Sequence, residues 1–242
     1  MQSDSKRTVV IDVFHDTLGS YLDGHAVVAV DVIRSTTTAV TAVTSGRRCF
    51  PVPSIEAALP LAARLTDPLL VGELGGNMPY GWHLNNSPAE VALRSDVSRP
   101  MILLSTSGTR LLCEAPRAPG VYAACLSNYR AQVAHLADRF PRIALLGAGT
   151  RGEFREEDQL CCAWIADGLV RAGYEPDEKT AAMIERWRAA PTDAFIGGKS
   201  TEYLKDTGQT RDLDFILSRV DSVSAVFPLR EGELVMVPTD DS

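Results

Sequence analysis

Asp31 and Arg34 lie in the run VAVDVIRSTTT, between an apolar stretch and a set of hydroxyl residues. A carboxylate at the end of a buried apolar run is costly to place there, so it is expected to act as a metal ligand or nucleophile rather than as a mere ion-pair partner. Thr36, Thr37 and Thr38 follow Arg34 at a predicted helix start. Free N–H groups, hydroxyls and a guanidinium fork form a seat for an anion. An N-cap alone would need only one threonine. The same logic recurs at Ser105, Thr106, Ser107, Gly108 and Thr109, at Asn128, and at Gly149, Thr150 and Arg151. Asn86 precedes Ser87-Pro88-Ala89-Glu90, which reads as a capping box with proline in the first helical position. These residues are the candidate substrate contacts, with Asp31, Arg34 and Arg151 as the catalytic set. Asp31, Glu73, Glu157 and Asp158 supply the hard oxygens that magnesium takes alongside water and phosphate. Acids in a first helical turn also complement the helix dipole, by about 0.3–1 kcal/mol each. That accounts for one or two of Glu156, Glu157 and Asp158, but not for the whole array beside a glycine loop.

The elements that must position these groups recur as apolar run, polar cluster and helical pattern. Strands are predicted at Thr8–Val13, Ala26–Val32, Cys49–Val52, Leu69–Gly72, Met101–Leu104, Val121–Cys125 and Ile143–Leu146. Helical patterns follow most of them. Continuous apolar strands alternating with helices predict a three-layer α/β/α fold around a largely parallel sheet. In such sheets ligands bind beyond the carboxyl ends of the strands, where the residues above fall. Thr201–Arg219 is predicted as helix. Ala225–Leu229 and Leu234–Val237 are predicted as a hairpin forming an antiparallel C-terminal edge. No linker divides the chain, so residues 1–242 are expected to form one domain.

The 242 residues are 45% hydrophobic and carry a formal net charge of −7. The acidic balance argues against a sequence-independent grip on nucleic acid, which needs clustered lysine and arginine. No apolar run approaches a membrane span, and the amino terminus lacks an apolar signal core, so a cytoplasmic protein is expected. Five cysteines, two adjacent and none in a CxxC, fit free buried thiols better than disulfides or a zinc site. The partners expected are a small anionic phosphorylated metabolite and, as a homodimer, a second copy of the chain.

Two motifs are set aside. Gly147–Gly152 matches GxGxxG, but the next helix leads to more helix rather than to the second strand of a dinucleotide unit. Gly198-Lys199-Ser200 echoes the end of a P-loop, yet the required first glycine would fall at Asp193. The four histidines are scattered and support no triad.

In order along the chain, Asp31–Thr38, Gly72–Gly76, Asn86–Glu90, Ser105–Thr109 and Gly147–Asp158 resemble the motifs D-V-x-R-A-T-T-T, G-E-R-G-G, N-S-P-x-E, T-T-N-G-T and A-G-T-x-G-x-F-x-x-E-D of the 2-phosphosulfolactate phosphatase family. The resemblance spans about Val30 to Asp214. It implies a three-layer α/β/α fold, magnesium dependence, and hydrolysis of the phosphate ester on C2 of sulfolactate, a step of coenzyme M biosynthesis. Leu74 and Ser107 stand where the family pattern has arginine and asparagine. A different 2-phospho acid, or a phosphometabolite-binding protein without turnover, are the alternative readings. The attacking group is left open between a metal-bound water and Asp31 itself.

Overall fold

The computed structural model describes residues 6–14, 17–149 and 153–239. In chain order the elements are β1 (Thr8–Val13), β2 (Ala26–Val30), α1 (Ser35–Thr44), β3 (Cys49–Val52), α2 (Ile55–Ala62), β4 (Leu69–Gly72), α3 (Pro88–Ala92), β5 (Met101–Leu104), α4 (Gly108–Cys113), β6 (Val121–Ala124), α5 (Tyr129–Leu136), β7 (Arg142–Gly147), α6 (Glu156–Arg171), β8 (Glu175–Pro176), α7 (Glu178–Trp187), α8 (Lys199–Asp206), α9 (Thr210–Ser218), β9 (Ala225–Arg230), β10 (Glu233–Leu234) and β11 (Val237–Pro238).

The strands form a mostly parallel sheet in the order β4-β5-β3-β10-β9-β6-β2-β7-β1-β8, with β11 pairing β9. It is built from two parallel blocks. One is β4-β5-β3 and the other is β6-β2-β7-β1-β8. The class is the expected mixed α/β one, with helices on both faces. The hairpin is antiparallel as expected, but its place is corrected. β9 pairs with β6, and β10 pairs with β3, so the hairpin lies between the two blocks instead of at an edge. Strand pairing across this seam is a tertiary choice that a two-residue strand cannot announce in its own sequence.

Alternation along β2 shows how the layers are specified. Val28 and Val30 face one core with Leu160, Ile165 and Leu169 of α6, whereas Val27 and Ala29 face another with Ala39, Val40, Leu111 and Leu112 of α1 and α4. α1 and α4 also pack on β3, and so bridge the two blocks. On β5, Ile102 and Leu104 turn to a third core against α2. The expected single helix over Thr201–Arg219 is two helices, α8 and α9, broken at Gly208, whose φ of +68° suits glycine. No helix among the described residues is long and apolar enough to cross a membrane.

Candidate active site

Beyond the carboxyl ends of β2, β4, β5 and β7 lies a cavity of about 340 Å³. Of the residues expected from sequence, Asp31, Arg34, Glu73, Asn86, Ser107, Gly149 and Asp158 line it. Thr150 and Arg151 lie outside the described residues.

Asp31 follows β2 directly and accepts a 2.6 Å hydrogen bond from Ser35 Oγ at its Oδ2. A Cβ on Gly108 would stand 2.3 Å from that oxygen, so only glycine lets the start of α4 come this close to Asp31. Asp158, in the first turn of α6, accepts from the Val32 N–H at 2.8 Å. Burial pushes the Asp31 carboxyl up, and the nearby Glu73 charge pushes the same way against the Ser35 hydrogen bonds. Burial also raises Asp158 well above the usual carboxylate range, reinforced by the charges of Glu157 and Asp31. Glu157 is buried and pushed up to about 7, chiefly by desolvation. It lies behind the cavity rather than on its wall. Glu73 accepts from the Thr106 N–H (2.7 Å), Thr106 Oγ1 (2.9 Å) and the Gly76 N–H (2.7 Å), which ties the glycine loop after β4 to the turn after β5.

The fit of a magnesium ion can be tested on this donor set. Among the described residues, no three His, Cys, Asp or Glu side chains are gathered tightly enough to hold a metal by themselves. Magnesium asks for less, namely one or two carboxylates completed by water and phosphate. Asp31 and Asp158 are all-oxygen donors that feel each other's charge, so the residues fit the ion in kind.

Arg34 is buried, at 5% exposure. Its Nη1 donates to Asp212 Oδ2 at 2.7 Å and to Gln209 Oε1, so α9 fixes the guanidinium. Asp212 also accepts from Ser87 Oγ (2.5 Å) and the Ala89 N–H (3.1 Å) at the start of α3. Ser87 caps that helix as the sequence predicts, accepting from the Glu90 N–H. Asn86, at 2% exposure, keeps a buried Oδ1 with no partner among the described residues.

The remaining expected contacts are placed elsewhere. Thr36, Thr37 and Thr38 donate to the carbonyls of Asp31, Val32 and Arg34 (2.8–3.0 Å) and do not line the cavity. Their hydroxyls close the bend between β2 and α1, because a hydroxyl near a helix start meets its own backbone first. Ser105 and Thr109 cap one another, N–H to hydroxyl in both directions at 2.8 and 2.9 Å. Asn128 accepts from the Cys125 N–H at 2.9 Å and braces β6. Leu74 is 39% exposed and is not a cavity residue.

Thr106, part of the expected seat at residues 105–109, also lines the cavity, whereas sequence reasoning missed Arg155, Lys199, Ser200 and Tyr203, all of which line it. Tyr203 Oη donates to the Gly76 carbonyl at 2.7 Å and fastens α8 over the glycine loop. The available signal was Gly198-Lys199-Ser200, a basic helix start after a glycine pair.

A sequence model of the family described as 2-phosphosulpholactate phosphatase matches residues 11–232. The chain belongs to the 2-phosphosulfolactate phosphatase family. Its relatives include proteins named "Probable 2-phosphosulfolactate phosphatase". One from Pseudothermotoga lettingae is 35% identical over 210 residues, covering 84% of this chain and 88% of the relative. One from Deinococcus radiodurans is 32% identical over 218 residues, 88% of each. One from Clostridium perfringens is 27% identical over 224 residues, 89% of this chain and 90% of the relative. The family match covers every motif quoted above and every described wall of the cavity.

Proposed function

We propose that this 2-phosphosulfolactate phosphatase family member hydrolyses the phosphate ester of 2-phosphosulfolactate, giving sulfolactate and phosphate, with magnesium as cofactor. The observation that carries the reading is a single cavity lined both by carboxylates, Asp31 and Asp158, and by a buried arginine, Arg34. A phosphate ester needs charge neutralised on its equatorial oxygens and a nucleophile held in line, and positioning with electrostatics supplies most of that catalysis. Asp31 and Asp158 would hold magnesium, which would supply Lewis-acid neutralisation of charge on the phosphoryl group. Arg34, held by Asp212 and Gln209, takes the remaining charge on the phosphoryl group. Asn86 Oδ1 accepts a hydrogen bond from the attacking water and orients it. Glu73 keeps the glycine loop and Thr106 in place as the wall of the site. Expected cellular placement is cytoplasmic, in keeping with a small, charged, diffusible substrate.

Phosphate release from 2-phosphosulfolactate, and from phospholactate for comparison, tests the reading. Turnover should fall at least about 100-fold in chelator and return with magnesium. Full turnover after demetallation would remove the metal. No release from either compound, with magnesium present, would overturn the phosphatase assignment.

A further inference from the structure

Besides Arg34, the cavity wall carries two cations from separate elements. Arg155 precedes α6 and Lys199 opens α8. Both are engaged by one carboxylate. Lys199 Nζ meets the two oxygens of Glu153 at 2.6 and 2.7 Å, and Arg155 Nη1 donates to Oε2 at 2.9 Å. Glu153 is half exposed, so an ordinary surface pair with Lys199 would add little stability. The arrangement differs from such a pair in three respects. Two cations converge on one acid, they do so on the cavity wall, and Arg155 retains a buried Nε with no partner among the described residues. The guanidinium offers five donors in a planar fork, and with only Nη1 engaged by Glu153 among the described residues it can take a second acceptor.

The substrate class adds the complementary need. Resting on the function proposed above, the molecule carries acidic groups besides its phosphate, and these must be desolvated against cations if they enter the cavity. Arg34 is assigned to the phosphoryl group, and Leu74 offers no charge and lies off the cavity wall. Arg155 and Lys199 are the other cations of the described wall.

We propose that Arg155 and Lys199 form the subsite for the non-transferring acidic group of the substrate, a sulfonate or carboxylate, and that the Glu153 carboxylate holds this subsite in the ligand-free chain and is displaced when substrate enters. The subsite then sets specificity through cations other than Arg34, the group assigned to the phosphoryl oxygens. Glu153 keeps the two cations in register, and its displacement charges each binding event with the loss of that internal contact.

The test is calorimetric binding of 3-sulfolactate, which has the acidic groups but no phosphate, to the wild-type chain and to Glu153→Gln, Lys199→Met and Arg155→Met. Removing the competitor in Glu153→Gln should tighten Kd about 3- to 10-fold. Each cation variant should weaken Kd about 10-fold or more, with melting temperatures within a few degrees of wild type as a check on folding. Equal affinity in all four proteins overturns the proposal, as does weaker binding in Glu153→Gln. Phosphate release is read separately, so the expected pattern of Kd in a protein that releases no phosphate would uphold the subsite while refuting the phosphatase reading.

Discussion

The two ends of β5 treat carboxylates in opposite ways. At its amino end, Asp96 sits among three arginines. Arg47 Nη2 donates to Asp96 Oδ1 at 2.8 Å, Arg94 Nε does so at 2.8 Å, and Arg99 Nη1 reaches Oδ2 at 3.3 Å. Arg94, with Arg47 behind it, holds the Asp96 carboxyl well below the usual range against the effect of burial. Arg47 is fully buried and also donates to the carbonyls of Asp96 and Arg99 at 2.9 and 2.7 Å. At the carboxyl end, about 13 Å away along a four-residue strand, burial and the charge of neighbouring acids make Asp31 and Asp158 hold their protons more tightly. One cluster is neutralised from within and serves the fold. The other leaves its charge for something else to neutralise, which is a mark of a working site.

The contrast breaks most visibly if Asp31→Asn is harmless. That variant removes an anion from the uncompensated end with little change of volume. It should lower kcat at least about 100-fold while the melting temperature stays level or rises. Near-normal turnover by phosphate release, or a large loss of stability, would make Asp31 a structural acid like Asp96.

Arg47→Met is the mirror experiment. It fills similar volume but strips donors from two carbonyls and one carboxylate oxygen. Unfolding in urea should show a loss of about 3 kcal/mol, with kcat of the folded fraction within twofold of wild type. A stable variant with impaired kcat would merge the two ends into one functional network.

The finest test is pH. A carboxyl whose folded pKa is raised contributes stability below its unfolded value near 4, and that stability is lost as pH rises through the folded value. Glu157, pushed up to about 7, therefore makes the metal-free protein melt a few degrees higher at roughly pH 6.5 than at roughly pH 8. Asp96 has the reverse sign. Its stability is present above the unfolded value and disappears only in strong acid, outside this window. The slope between the two pH values should flatten in Glu157→Gln. A slope that persists in that variant would place its origin elsewhere.

What the sequence made legible follows from how local each signal is. Four strands, β1, β3, β4 and β5, have the expected bounds because each is an apolar run bracketed by polar or turn residues. The hairpin was legible as a hairpin, but its insertion between β3 and β6 depends on partners far along the chain. Asp31, Glu73, Asn86 and Asp158 were legible because each ends an apolar run or stands beside a turn or helix start. Lys199 and Tyr203 were not, since α8 belongs to a segment that carries no strand of its own and only tertiary packing brings it to the cavity. The three threonines after Arg34 were read as an anion seat because a hydroxyl that binds a ligand and one that caps its own backbone look alike in one dimension. Distances separate them.

The order in which the seam strands appear along the chain bears on synthesis. Residues 8–30 and 121–176 supply one block, residues 49–104 supply the other, and the backbone ladder between them is written only by residues 225–234. α8, which brings Lys199 against Glu153, is also late. In a polypeptide made from its amino end, most of the strands therefore precede the stitch that unites them. The pocket is thus completed late in chain order: Asp31, Glu73 and Asp158 all precede Lys199, which shares their cavity, and a nascent chain stalled before residue 199 carries the acids without that lysine.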